Sequence, residues 1–88
     1  MIFSPALHHF RSHGGQEVDL VLEDPRGRVV GIEVKASATV TSSDLAGLRA
    51  LAELAGKRFV QGIVLHLGAS RVSFGRGLTA CPLDVLWA

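Results

Sequence analysis

Two β-rich runs separated by a Pro-Gly turn constrain the fold of this chain more than any other feature. Apolar residues occupy alternate positions in both runs, 17–23 and 28–36: Val18, Leu20, Leu22, Val30, Ile32 and Val34. Such alternation is typical of strands with one buried face. The intervening Asp24-Pro25-Arg26-Gly27 supplies a turn-type proline and a glycine suited to a left-handed conformation. The sequence therefore predicts an antiparallel β-hairpin.

A helix is predicted after the hairpin, over 44–55. Ser42 or Ser43 can cap its start, and Asp44 places a negative charge at the positive end of the helix dipole. Gly56 is a natural stop. Apolar residues recur at helical spacing along one face: Leu45, Leu48, Leu51, Ala52 and Ala55.

The remaining elements are read as strands and a tail. The run 7–13 is interpreted as a first strand, 58–67 as an apolar central strand covered on both faces, and 71–74 as a short edge strand. Apolar residues of the tail are expected to dock on the core: Leu83, Val85, Leu86 and Trp87. The predicted order is β-β-β-α-β with a short C-terminal strand or tail, in an α/β fold rather than a doubly wound sheet.

Size and composition predict a single domain that needs a partner. We expect the 88 residues to form one domain, 1–88, with residues 1–6 as a flexible N-terminus. Domains this small bury only ~60–65% of their unfolded surface, so 48% hydrophobic residues predict self-association, at least to a dimer. The single Cys81 is typical of a cytoplasmic protein, and no apolar run approaches the ~20 residues of a membrane span. A net charge of +1 argues neither for nor against nucleic-acid binding.

The hairpin brings acidic residues face to face. A three-residue loop at 25–27 sets the register, and Asp19 then faces Glu33. Glu17 faces Lys35 in the same register. Directly opposed like charges destabilise a sheet, and a divalent cation bound by carboxylate oxygens removes the conflict. Lys35 lies on the same face as Glu33 and could activate a water or neutralise developing charge.

A plainer interpretation of these charges stays open. Charge-alternating strands are common on the solvated face of ordinary hairpins, and the residues alone favour that interpretation. His66, between two leucines, is interpreted as a hydrogen-bonded structural histidine. Arg11, Arg26 and Arg28 could contact phosphates, although scattered solubilising charge explains them equally well.

The motif Glu17-Val18-Asp19, followed one hairpin later by Ile32-Glu33-Val34-Lys35, resembles the signature of the PD-(D/E)XK phosphodiesterase superfamily. The resemblance looks closest to the C-terminal nuclease-like domain of unknown function found behind AAA-type ATPase modules in bacteria and archaea. It covers about residues 7–88. Further shared features are an aromatic-Arg pair, a Leu-rich helix, an apolar strand and the chain ending: Phe10-Arg11, 44–55, 58–67 and Pro82-Leu83…Leu86-Trp87.

The resemblance implies a set of roles. Asp19 and Glu33 would bind magnesium or manganese together with the main-chain carbonyl of Val34, and Lys35 would be the catalytic base or charge stabiliser. Glu17 would support the site, and the substrate would be a nucleic acid, with DNA expected. The superfamily signature has Pro where Val18 stands.

The chain also departs from the family at its start. No sequence before the first strand is long enough for the helix that opens the family fold, and no ATPase module is present, so we expect a fragment of a longer ATPase-linked protein. Two hypotheses follow. The domain is a magnesium-dependent endonuclease, or it is a catalytically inactive, nuclease-derived module that binds nucleic acid or a partner, or holds an ATPase oligomer together.

Overall fold

A six-stranded mixed sheet carries one α-helix in the part of the chain that the computed structural model describes, residues 6–84, with Ala6 as backbone only. The protein therefore has the mixed α/β fold that the sequence predicts. Short 3₁₀ turns precede and follow the helix, at Ser42–Leu45 and Gly56–Arg58. In chain order the elements are β1 (Ala6–Arg11), β2 (Glu17–Glu23), β3 (Val29–Lys35), α1 (Ala46–Ala55), β4 (Phe59–His66), β5 (Val72–Ser73) and β6 (Leu78–Pro82).

The sheet has the strand order β1-β2-β3-β4-β6-β5. The first three strands form an antiparallel meander, and β3, β4 and β6 are parallel neighbours. Strand β5 pairs antiparallel with β6 at the edge of the sheet. Because parallel neighbours need a long connection, α1 serves as the crossover between β3 and β4, and it packs on β1, β2, β3 and β4 from one side.

The predicted hairpin and its register are confirmed. Gly27 has φ 81°, and its N–H donates to the carbonyl of Asp24 at 2.9 Å. The N–H of Asp24 in turn donates to the carbonyl of Arg28 at 3.0 Å, which closes a three-residue loop. The pairing of Leu20 with Ile32 follows the same register.

Strand β2 departs from simple alternation. Its two buried residues are Val18 and Val21, which are an odd number of positions apart. The register with β1 shifts between these positions, so β2 contains one extra residue there. This β-bulge turns Val18 to the same face as Val21. The prediction that Val18 shares a buried face with Leu20 and Leu22 is therefore wrong.

The core lies between α1 and one face of the sheet. Gly31 permits this packing, because a Cβ at that position would lie 2.7 Å from Leu48 Cδ2 and 2.8 Å from Leu51 Cδ2. The helix side of the core is formed by Leu45, Leu48, Leu51 and Ala55. The sheet side is formed by Val18, Val21, Val29, Val64, Leu78 and Ala80. By strand alternation, Glu33 and Lys35 lie on the same face as Gly31, which is the face that carries the helix.

The opposite face of the sheet is apolar as well. We call it the back face, and no helix or strand among residues 6–84 packs on it. The prediction that β4 is covered on both faces is therefore wrong for the described elements, since Gly62, Val64 and His66 are buried while the alternate residues are partly exposed. The back face comprises Leu20, Leu22, Val30, Ile32, Val34, Ile63 and Leu65.

The C-terminal region contains a strand that the sequence analysis does not predict. Strand β6 lies inside the sheet between β4 and β5, and its residues 78–82 belong to none of the elements predicted from the sequence. The predicted edge strand over 71–74 is confirmed as β5. The docking residues 85–87 and positions 1–5 of the expected flexible N-terminus lie outside the described residues. No helix of the described chain is long and apolar enough to cross a membrane.

Gly47 offers a test of the helix-sheet contact. A Cβ at this position would overlap the main-chain carbonyl of Glu17. In a free helix, Gly→Ala is stabilising by about 1 kcal/mol. We expect Gly47→Ala instead to lower the free energy of unfolding by about 1–3 kcal/mol, because the overlap separates α1 from β2. Urea denaturation measures the change, with Glu53→Ala on the exposed side of α1 as the control. A stabilised Gly47→Ala variant would contradict the packing.

Candidate functional site

The carboxylates of Asp19 and Glu33 adjoin where the β2–β3 ladder ends. The N–H of Asp19 donates to Glu33 Oε1 at 2.7 Å, and the N–H of Val34 donates to Asp19 Oδ2 at 2.9 Å. Each side chain thus accepts the main-chain N–H that a strand carbonyl would otherwise take. The structure brings Asp19 and Glu33 together across the hairpin, as the register predicts.

The electrostatics of this pair are unfavourable without a cation. Burial raises the pKa of Glu33 above its ordinary value of 4.5. The hydrogen bond from the Asp19 N–H opposes that rise, and the charge of Asp19 adds to it, with a smaller contribution from Glu17. A positive charge placed between the carboxylates would offset both the burial and the repulsion.

Lys35 is directed towards the start of the helix. Its Nζ forms an ion pair with Asp44 Oδ2, and the same oxygen accepts the N–H of Thr41 at 2.7 Å. The hydrogen bonds from Lys35 and Thr41 lower the pKa of the Asp44 carboxyl, although desolvation opposes them. Thr41 therefore occupies the cap position that the sequence analysis gives to Ser42 or Ser43.

Glu17 does not pair with Lys35 as predicted. Its Oε1 lies 3.5 Å from Arg11 Nε, and its Oε2 lies 3.7 Å from His9 Nε2. The physical reason is that the β2–β3 ladder ends at Leu20, beside the β-bulge, so the register does not extend to Glu17. Glu17 remains close enough for its charge to raise the pKa of Glu33.

The arginines proposed to bind phosphate are split between the two ends of the hairpin. Arg11 lies at the carboxylate end through its contact with Glu17. Arg26 and Arg28 lie at the turn, where Asp24 accepts both of their N–H groups at 2.9 Å. Asp24 at the turn is five residue steps along the strand from Asp19, or about 16 Å. The structure therefore does not bring the three arginines together.

The donor set suits a hard cation that keeps most of its water. Among residues 6–84, no group of three or more His, Cys, Asp or Glu side chains could hold a metal ion. Asp19 and Glu33 supply carboxylate oxygens on adjacent strands, and the main chain of Val34 lies between them. Magnesium is commonly held by one or two carboxylates and several waters. The residues present therefore fit a magnesium or manganese ion, but not a closed protein cage.

A comparison with protein families bears on this geometry. Residues 3–86 match DUF4143, a domain of unknown function. The chain belongs to the DUF4143 family. Domains of this family are found in proteins associated with AAA-type ATPases, as the resemblance predicts. No curated protein and no solved structure matches the chain. The PD-(D/E)XK assignment and its roles for Asp19, Glu33 and Lys35 stay predictions.

Two further polar residues of this DUF4143 domain have defined partners. His66 is buried, with Nε2 3.0 Å from the carbonyl of Ser70, and its Nδ1 accepts the N–H of Gly68 at 2.9 Å. These partners confirm the predicted structural histidine.

Asp44 has one contact that the sequence predicts and one that it does not. Its place three residues after Thr41 is the signal of a capping box, but nothing in the sequence links it to Lys35.

The raised pKa of Glu33 predicts a pH-dependent effect of removing its charge. A carboxyl with a raised folded-state pKa costs stability as pH rises from 4.5 to the raised value. Glu33→Gln keeps an oxygen for the Asp19 N–H, so at pH 7 the variant should be more stable than wild type by up to about 1 kcal/mol. Below pH 4 the two proteins should unfold alike.

Urea denaturation at both pH values in the presence of chelator measures this difference. Glu53→Gln, a similarly neutralised but exposed helix residue, is the control. A stability gain of equal size at both pH values would show that the charge of the buried Glu33 carboxylate is not its cause.

Proposed function

We propose that this DUF4143 domain is a divalent-metal-dependent nucleic-acid phosphodiesterase with a PD-(D/E)XK core. The observation that carries the proposal is the contact between Asp19 and Glu33 across β2 and β3, each accepting an N–H from the other strand. An ordinary solvated hairpin face does not need two acids opposite each other, whereas a metal site does. The order Asp, Glu-x-Lys along the hairpin supports the same conclusion.

Asp19 and Glu33 would hold the ion, with the carbonyl of Val34 as a third ligand. Each carboxylate uses one oxygen on a main-chain N–H, which orients the side chain and leaves the second oxygen for the ion. A bound divalent ion supplies phosphate polarisation and a water of lowered pKa. The raised pKa of Glu33 fits this role, because a cation removes the cost of its charge.

Lys35 would stabilise charge rather than remove a proton. Its ammonium donates to Asp44 at the helix start, and a group that is donating cannot at the same time accept a proton from water. A phosphate near Glu33 would compete with Asp44 for that ammonium. Asp44 would thus hold the Lys35 ammonium in place before substrate binds. After binding, the ammonium would contact both Asp44 and the phosphate.

DNA is the proposed substrate, and Arg11 is the arginine best placed to contact it. Arg11 is 68% exposed at the carboxylate end of β2. Arg26 and Arg28 would reach only nucleotides some 16 Å further along the hairpin. A contact between the Arg11 side chain and a DNA phosphate would orient the duplex without reading its base sequence.

A second candidate is a catalytically inactive module that binds a partner or holds an ATPase oligomer together. The Lys35–Asp44 ion pair favours it, because a lysine neutralised by a carboxylate supplies less charge to a substrate. The apolar back face favours it as well, since a binding module needs such a surface. In this candidate the Asp19–Glu33 pair is inherited from a nuclease ancestor and has no catalytic role.

Metal binding separates the two candidates. We expect the domain to bind Mn²⁺ with a Kd between about 0.1 and 1 mM and Asp19→Asn to weaken binding at least about 10-fold, or ~1.4 kcal/mol. Asparagine keeps an oxygen for the Val34 N–H, so the hairpin is retained. The loss of the free Mn²⁺ signal in electron paramagnetic resonance measures binding, with Glu53→Gln as control. Equal Mn²⁺ affinity of Asp19→Asn and wild type would contradict the metal site and favour the inactive module.

Cleavage tests the role of Lys35 against that of Asp44. With Mg²⁺ and plasmid DNA, Lys35→Ala should lower the rate at least about 100-fold while Mn²⁺ affinity stays within about 2-fold of wild type. Asp44→Asn keeps the lysine charge and should cleave at least as fast as wild type. Equal losses in both variants would indicate that the ion pair serves only to hold α1 on the sheet.

A further inference from the structure

Three connecting segments concentrate positive charge at one end of the sheet. Strands β3, β4 and β6 are parallel neighbours, so the segments that lead into them, 24–28, 56–58 and 75–77, arrive at the same end. Of the nine lysines and arginines in the chain, five lie in these segments, and all five are exposed. We call this surface the basic edge. Its cations are Arg26, Arg28, Lys57, Arg58 and Arg76.

Direct contacts hold the three segments beside one another. A Cβ at Gly27 would lie 3.6 Å from Arg58 Cδ, so the hairpin turn adjoins the segment that follows the helix. On the other side of β4, the N–H of Gly62 donates to the carbonyl of Gly77 at 2.7 Å. Neighbouring strands are about 4.8 Å apart, so the edge runs about 10 Å from β3 to β6. Successive phosphates of one DNA strand rise by about 3.4 Å, so this length matches about three of them.

Carboxylates neutralise only part of the basic edge. Asp24 Oδ2 lies 2.5 Å from Arg28 Nε, and Glu23 Oε2 lies 3.7 Å from Arg58 Nη1. The other three cations form no ion pair within residues 6–84: Arg26, Lys57 and Arg76. The edge therefore keeps a positive charge that an anionic ligand can neutralise.

Arg76 has a backbone conformation that arginine rarely adopts. Its φ is 47°, and it lies between Gly75 and Gly77, whose φ angles are also positive. A residue with a Cβ incurs a steric cost in this left-handed region, which glycine or asparagine tolerates better. Strained residues of this kind cluster at binding sites. An arginine here, without an ion pair in the described chain, therefore favours a role for its guanidinium in binding a ligand.

The chemistry of the basic edge favours phosphate groups. Four of its five cations are arginines, whose planar guanidinium pairs with phosphate through two hydrogen bonds. Apart from glycine and Pro25, the three segments contain no apolar residue, so the edge lacks the apolar anchor of a membrane-binding surface. A nucleic-acid strand presents its phosphates in a row, as the edge presents its cations.

We propose that the basic edge binds the phosphate backbone of DNA. The inference rests on the proposed function for the choice of DNA over another polyanion. The edge lies at the amino end of β3, whereas Lys35 ends the strand six residue steps after Val29, or about 20 Å away. DNA that contacts both ends of the strand would span about six base pairs. The basic edge would thus be a second contact, away from the carboxylates of Asp19 and Glu33.

Matched asparagine substitutions at Arg76 and Arg71 test the proposal. Both arginines are exposed, and Arg71 lies in the connection from β4 to β5, outside the basic edge. Fluorescence anisotropy of a labelled duplex of about 20 base pairs, in chelator, measures binding without a metal. Arg76→Asn should weaken binding roughly 5–10-fold at about 0.1 M salt and lower the slope of log affinity against log salt by about 0.9, because one phosphate contact is lost. Arg71→Asn should bind within about 2-fold of wild type.

Thermal melting separates lost binding from lost folding. Asparagine suits the left-handed backbone better than arginine, so the thermal midpoint of Arg76→Asn should equal or exceed that of wild type. Equal losses of affinity in both variants would overturn the proposal, as would wild-type protein that binds no DNA at about 0.05 M salt. Polyglutamate that competes as well as DNA would assign the edge to an acidic protein instead.

Mn²⁺ binding keeps this inference distinguishable from the proposed function. If wild type binds Mn²⁺ but Arg76→Asn binds DNA as wild type does, the basic edge is wrong and the metal site stands. If DNA binding depends on Arg76 but Mn²⁺ does not bind, the basic edge stands and the phosphodiesterase proposal fails.

Discussion

The close approach of α1 to one face of the sheet is the constraint on which the rest of the structure depends. It is possible because Gly31 has no side chain where Leu48 and Leu51 enter, and because Gly47 lets the helix backbone reach the carbonyl of Glu17. Larger residues at these positions would hold the layers apart. This contact decides which strand residues become core. It therefore also decides which side of the sheet carries Glu33 and Lys35, and which side carries no helix among residues 6–84.

The candidate site follows from that choice of face. Glu33 and Lys35 are two and four residues from Gly31, so they lie on the helix side of the sheet, next to the start of the helix. There the ladder between β2 and β3 ends, and the carboxylates of Asp19 and Glu33 accept the N–H groups that it leaves. The start of the helix reaches the same region, where Asp44 takes the ammonium of Lys35. Within this small surface, burial and the charge of Asp19 raise the pKa of Glu33. Hydrogen bonds from Lys35 and Thr41 lower the pKa of Asp44.

The same choice leaves an aliphatic sheet face without cover among residues 6–84. The single helix buries Val18, Val21, Val29 and Val64 on one face of the sheet. No helix of the described residues packs on the other face. A domain of this size has little stability to spare, so exposed aliphatic area is a cost that a partner can remove.

The sequence by itself determined the features that depend on near neighbours. The register of the hairpin follows from the loop at 25–27 and the left-handed Gly27, and that register places Asp19 beside Glu33. Gly56 ends the helix for the same local reason. Only the tertiary structure decided which hairpin face is buried, because Val29 and Gly31 compete with Val30 and Ile32, and alternation alone cannot choose between two apolar sets. It also decided the bulge at β2, the insertion of β6 into the sheet and the pairing of Lys35 with Asp44, since each depends on contacts between segments that are distant in sequence or separated by a loop.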